Sequence, residues 1–172
     1  KRNPDGAIDA INALEAKYYP VVEELLSTAE SKELGKTIVK ERFDVLRSIA
    51  SSTKPFTSFE EKVILAQGEL TSTALVNAYL VEQGVKSCLL PALDFMKTDK
   101  NAEPDMNYIR TNVKKQLEEK NGYEIYITQG FICRNHYDEI DKLQRGGSDY
   151  SASIIGAAVV ADEIQIWTDI DG

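Results

Sequence analysis

Apolar positions recur at helical spacing through the first half of the chain. Asn3 stands at a capping position and Pro4 at a first helical position, where its missing N–H costs nothing. Ala7, Ile8, Ile11 and Leu14 then repeat on one face. A second helical stretch follows Pro20, with Val21, Val22, Leu25 and Leu26. A third carries Leu34, Ile38, Val39, Phe43, Leu46 and Ile49, and Ser51–Pro55 breaks the pattern. Ser58 and Glu61 have capping-box spacing and open a helix that reaches Gln83, with Gly84 as its stop. Residues 1–84 therefore read as helical.

Beyond Gly84 the period changes. Val85–Leu90, Tyr123–Thr128 and Glu163–Thr168 read as strands, roughly 40 residues apart. Asp105–Lys120 reads as an amphipathic helix with Ile109, Val113 and Leu117 on one side, and Ser148–Ala161 as an apolar one. Residues 131–144 read as a hairpin or long loop. Strands separated by helices at this spacing predict right-handed crossovers in a parallel sheet, an α/β fold. Trp167, near the end of the last strand, is expected in the core.

The chain has 172 residues with 20 basic and 28 acidic side chains, a net charge of 20 − 28 = −8. The acidic balance excludes the basic face that nucleic acid or an anionic membrane requires. No apolar run is long enough to cross a bilayer, and the two basic residues at the start have no apolar segment behind them, so no signal peptide is expected. Cys88, Cys133 and His136 show no metal-ligand spacing, and a protein metal site is not expected. The cysteines read as buried thiols, His136 as solvated, and the setting as a reducing cytoplasm. The chain starts without methionine and stops at Asp171-Gly172, and is read as an internal piece of a longer protein.

The stretch Gln144-Arg145-Gly146-Gly147-Ser148-Asp149-Tyr150 carries the most chemistry. Two glycines allow a ligand close to the backbone, and Ser148 suits an N-cap. Free amides at a helix start, with the dipole, form an anion site. Arg145 adds a fork for a carboxylate or phosphate. Asp149 sits where the dipole favours its charge. A plain glycine-rich turn with an ordinary cap explains the same residues equally well. Gln67-Gly68-Glu69 is the second candidate. Glycine costs roughly 1 kcal/mol against alanine inside a helix, which suggests close packing or binding there. Glu69, among Leu65, Ala66, Leu70 and Ala74, could hold an ammonium group; a kink beside a surface glutamate is the simpler reading of the spacing. The strand ends, Asp94, Gln129-Gly130 and Thr168-Asp169, lie where parallel sheets bind ligands. Asp169 there could serve a ribose or a magnesium shell, or simply cap the strand.

Gly130-Phe131-Ile132, Arg145-Gly146-Gly147-Ser148-Asp149-Tyr150-Ser151-Ala152 and Ile166-Trp167-Thr168-Asp169-Ile170-Asp171-Gly172, in this order and at these spacings, resemble the aspartate kinases. Gln67-Gly68-Glu69 is similar to their earlier Gly-Glu element, so the resemblance covers residue 58 to the end. It implies the amino-acid-kinase fold, a three-layer α/β/α sandwich, here incomplete and with a helical first third. It implies one partial catalytic domain over residues 1–172, of which 1–84 is helical and 85–172 carries the substrate and nucleotide motifs. Implied ligands are ATP, Mg2+ and L-aspartate, in an enzyme that opens the route to lysine, threonine and methionine. Carried over position by position, Glu69 resembles the contact for the aspartate ammonium. Arg145, Gly146, Gly147 and Ser148 resemble the clamp on substrate carboxylate, Asp149 the catalytic acidic residue, and Thr168 and Asp169 the nucleotide contacts. A homo-oligomer is implied as well.

The family's Lys-Phe-Gly-Gly segment is absent, as is the nucleotide-site sequence beyond Gly172, so the 172-residue chain alone is expected to be inactive. Its hairpin differs too: Asp141-Lys142-Leu143-Gln144 stands where Thr-Thr-Leu-Gly is frequent, and Asp138 where glycine is common. Alternatives are a kinase for acetylglutamate, glutamate or a nucleotide, or a non-catalytic binding and dimerisation module. Glu69 argues against an acylated amine, which has no positive charge to pair.

Overall fold

The computed structural model describes residues 3–143 and 147–167. The chain divides into two compact units, Lys1–Leu89 with Gly122–Ile127, and Leu90–Asn121 with Thr128–Gly172.

Three long helices build the first unit: α1 (Pro4–Leu25), α2 (Ala29–Ser51) and α3 (Ser58–Glu82). The Asn3 side chain accepts the Gly6 amide at 3.1 Å and caps α1. Pro20 does not divide this helix, contrary to the two stretches expected from sequence; α1 runs through it. Ala16, whose carbonyl Pro20 cannot bond, is exposed, so water can satisfy that carbonyl. Immediately beyond it Val22 and Leu26 are fully buried, and with Val39, Phe43, Leu75 and Ala78 they form the core of this unit. Tyr18 meets Phe43 edge-on, with ring centroids 5.4 Å apart. Packing of this kind outweighs a local helix defect.

Beside that core, the buried Glu15 carboxylate is paired with Arg47 of α2 and accepts the Tyr19 hydroxyl at 2.9 Å. Burial, and then the hydrogen bond to Glu15, raises the Tyr19 pKa. The capping box of α3 is formed by Thr57 and Glu60, one residue earlier than expected. Thr57-Ser58-Phe59-Glu60-Glu61 offers two overlapping hydroxyl-x-x-Glu registers, and the extended Thr57 takes the cap, its amide donating to Glu60 at 2.8 Å.

Glu82, the last residue of α3, caps α2. Its carboxylate accepts the Ser27 amide at 3.0 Å and the Thr28 amide at 2.8 Å. These backbone donors, Thr28 first, lower its pKa below the ordinary glutamate range. A depressed folded-state pKa gives stabilisation that is present above the ordinary range and lost as pH falls through the depressed value. Glu82→Gln is therefore expected to be less stable at neutral pH, with a shallower loss on acidification. Urea unfolding at several pH values, compared with the unsubstituted protein, measures both.

Strands β1 (Ser87–Leu90) and β2 (Ile125–Thr128) pair in a two-stranded sheet. Lys86, just before β1, accepts the Glu124 and Ile125 amides at the start of β2 through its carbonyl, so the strands begin side by side and run the same way. The parallel pairing matches expectation.

In the second unit a 3-10 turn (Ala92–Asp94) is followed by α4 (Met106–Glu119), the hairpin β3 (Ile132–Arg134) with β4 (Ile140–Lys142), and α5 (Gly147–Val159). The hairpin pairs Cys133 with Asp141 in antiparallel register. Arg134 binds the Leu93 and Asp138 carbonyls, so its guanidinium is structural. Asp138 adopts φ +63°, a left-handed conformation that favours glycine, and its carboxylate meets Lys97 at 2.6 Å. The Lys97 ammonium holds the Asp138 carboxyl below its usual range.

The expected strand over Glu163–Thr168 does not form among the described residues. Residues 163–167 pair with no neighbouring strand, and Ile164 lies against Gly156 of α5. Trp167, expected in the core, is 87% exposed. An alternating Ile164-Gln165-Ile166-Trp167 pattern fits a strand, but a strand needs a partner for its amides and carbonyls. No described helix is long and apolar enough to cross a membrane.

Candidate functional site

Of the residues singled out for chemistry, the structure describes Glu69, Gly147, Ser148 and Asp149. Arg145 and Gly146, with Thr168 and Asp169, lie outside the described residues.

In the second unit the start of α5 is built against Gly130 and Phe131. Gly147 opens the helix at φ +50°, a conformation that strains any side chain. Ser148 is thereby inside the first turn rather than at the expected N-cap. Asp149 occupies the same turn, where the helix dipole favours its charge, and its side chain is exposed. Gly130 packs directly on Ser148: a Cβ added at Gly130 would stand 2.4 Å from the Ser148 Oγ and 3.0 Å from its Cα. Phe131 follows at φ +48°, a strain of about 1–2 kcal/mol for a residue with a side chain. Its amide donates to the buried Ser151 Oγ at 2.8 Å, and its carbonyl accepts the Leu143 amide at 2.8 Å.

Sequence reasoning missed Ser151 and the Phe131 turn. The available signal was the i, i+3 spacing of Ser148 and Ser151, which puts both hydroxyls on one face of α5. Gln129, a strand-end candidate, is buried, and its Oε1 accepts the Ala92 amide at 2.8 Å, which ties the two strand ends together.

In the first unit, Glu69 lies in the interior of α3, half-buried, with its carbonyl accepting the Thr73 hydroxyl at 2.8 Å. Gln67 beside it is buried, and its Nε2 donates to the Val63 carbonyl at 2.8 Å. Gly68 is exposed, and a Cβ there would meet nothing within 4 Å. Close packing inside the chain therefore does not explain this glycine. Gly68→Ala is expected to stabilise the helix by about 0.5–1 kcal/mol, read by urea unfolding.

The cysteines are free and buried, as expected. His136 is exposed, its ring tilted against that of Tyr137 with centroids 3.6 Å apart.

The amino acid kinase family matches the chain over residues 7–172. The chain belongs to the amino acid kinase family. Relatives within the family include the lysine-sensitive aspartokinase 3 of Escherichia coli (strain K12), 27% identical across 98% of this chain and 38% of its own length. The aspartokinase of Chlamydia muridarum (strain MoPn / Nigg) is 32% identical across 89% of this chain and 37% of its own. Among solved structures, E. coli aspartokinase III in complex with aspartate and ADP superposes with a TM-score of 0.78 at 26% identity, covering 99% of this chain and 38% of that one. The chain thus spans less than two fifths of the length of these relatives, and its fold is that of the amino acid kinases.

Proposed function

We propose that this chain is the part of an aspartate kinase that holds the amino-acid substrate, and that the full-length protein transfers the γ-phosphoryl group of ATP to the β-carboxylate of L-aspartate. The observation that carries the reading is the match, across 99% of the chain, to an aspartokinase that was solved with aspartate and ADP. The sequence Arg145-Gly146-Gly147-Ser148-Asp149, whose last three residues open α5, supports it. Both units together then form one portion of a catalytic domain.

In this mechanism Glu69 pairs with the aspartate ammonium. Arg145, Gly146, Gly147 and Ser148 hold the substrate carboxylate at a helix N-terminus. Asp149 organises the reacting groups, and Thr168 and Asp169 touch the nucleotide. The β-carboxylate is already ionised at neutral pH, so no general base is needed. Its oxygen forms a bond to the γ-phosphorus as the bond to the ADP oxygen breaks, which yields β-aspartyl phosphate and ADP. Repulsion between anions is the barrier, and positioning with positive charge lowers it.

Among the described residues no group of three or more His, Cys, Asp or Glu could hold a metal. Where Mg2+ binds, the nucleotide phosphates with one or two carboxylates would hold it, as is usual for this ion, and it would supply positive charge to the transferring phosphoryl group. A cytoplasmic setting, a homo-oligomer and a place in lysine, threonine and methionine biosynthesis complete the proposal. A coupled ADP-release assay on the full-length protein, run with aspartate, acetylglutamate, glutamate and a nucleoside monophosphate, tests it. Turnover with aspartate alone is expected; turnover with another acceptor and none with aspartate overturns the reading.

A further inference from the structure

We infer that Ser151 is a positioning residue for Gly147 and Ser148 at the start of α5, acting through the strained turn at Gly130-Phe131. The inference rests on the aspartate-kinase reading of Arg145–Asp149. A continuous chain of hydrogen bonds joins Leu143, just beyond the hairpin, to Gly147, the first residue of α5. The Leu143 amide donates to the Phe131 carbonyl at 2.8 Å. The Phe131 amide donates to the Ser151 Oγ at 2.8 Å. The Ser151 hydroxyl in turn donates to the Gly147 carbonyl at 3.3 Å. One hydroxyl is thus acceptor and donor at once, and it is 2% exposed, so no water substitutes for either partner.

Phe131 is held where an aromatic residue does not rest unaided. Its φ is +48°, and the Ile132 amide closes a three-residue turn across it onto the Gly130 carbonyl at 2.6 Å. A strained residue of this kind persists only where its surroundings over-determine it, and it marks a site where geometry matters. Gly130 presses the same turn onto Ser148, a proposed clamp residue. A serine hydroxyl bonded to the carbonyl four residues back is by itself a common helix feature. The link onward to Phe131 and Leu143 goes beyond that feature, because it couples the hairpin to the first turn of α5.

The test compares Ser151→Ala and Ser151→Thr in the full-length protein, with aspartate and ATP varied separately and the thermal midpoint recorded. Loss of both central links is expected to raise the aspartate KM about tenfold while the ATP KM stays within about twofold. Threonine, which keeps the hydroxyl, is expected to restore the aspartate KM. A role confined to stability would lower the thermal midpoint and leave that split unmoved. Should Ser151→Ala fail to fold, Gly130→Ala disturbs the turn from the Ser148 side and is expected to give the same aspartate-selective defect. An aspartate KM within twofold of the parent in the folded variant, or equal rises for both substrates, overturns the inference. Arg145→Ala measured beside them separates the causes. If it alone impairs aspartate, only the positioning role fails; if neither does, the reading of the clamp fails and this inference with it.

Discussion

Arg145→Ala in the full-length protein is expected to lower kcat/KM for aspartate by about 30- to 1000-fold. The figure follows from the loss of a forked, charge-assisted contact, about 2–4 kcal/mol of transition-state stabilisation. Arg145 stands two residues before Gly147, which opens α5 at φ +50°. Amides at that helix start have no partner within the helix, and their dipole favours an anion. In the proposed clamp the guanidinium would add what those amides lack, a full charge and a planar pair of donors. Arg145→Lys keeps the charge without the fork and is expected to recover only part of the loss. Steady-state kinetics with aspartate varied at saturating ATP measures both variants. A change below about threefold for the alanine variant removes Arg145 from the site.

Much of this fold was legible because helical periodicity and caps are local properties. Asn3, Asp105 and the hydroxyl-x-x-Glu sequence before α3 marked helix starts to within a residue. Pro20 misled because a rule about isolated helices met a residue whose unpaired carbonyl partner is exposed while the next turn is buried in a core. Residues 163–167 misled for the opposite reason: strand identity is not local, since it depends on another segment lying alongside. The same division holds for the site. The Arg-Gly-Gly-Ser-Asp motif could be read from the chain because its residues adjoin. The Phe131 turn could not, since it requires Leu143 and Ser151 to arrive from the hairpin and from α5. Asp138 lies between these cases. Sequence marked it as a departure from the usual glycine, and structure supplies the reasons it is tolerated, a left-handed backbone and an ion pair with Lys97.

Glu69→Gln carries the second large effect. Glu69 sits half-buried in α3 beside Gly68, over which the chain leaves open space. The substrate ammonium in the proposed reaction is positive throughout and takes no part in bond making. A carboxylate paired with it therefore binds ground state and transition state alike, and its loss appears in KM rather than kcat. A hydrogen bond to a charged group contributes about 1.5–3 kcal/mol, so the aspartate KM is expected to rise about 10- to 150-fold while the ATP KM stays within about twofold. Glutamine preserves shape and helix propensity, so the fold is expected to survive, and an unchanged urea midpoint checks this. Gly68→Ala is the companion variant. If substrate occupies the space above Gly68, the added methyl raises the aspartate KM in a protein that is more stable, a combination that damage to the fold cannot produce. Equal effects of Glu69→Gln on both substrates, or none on either, return Glu69 to a purely structural role in α3.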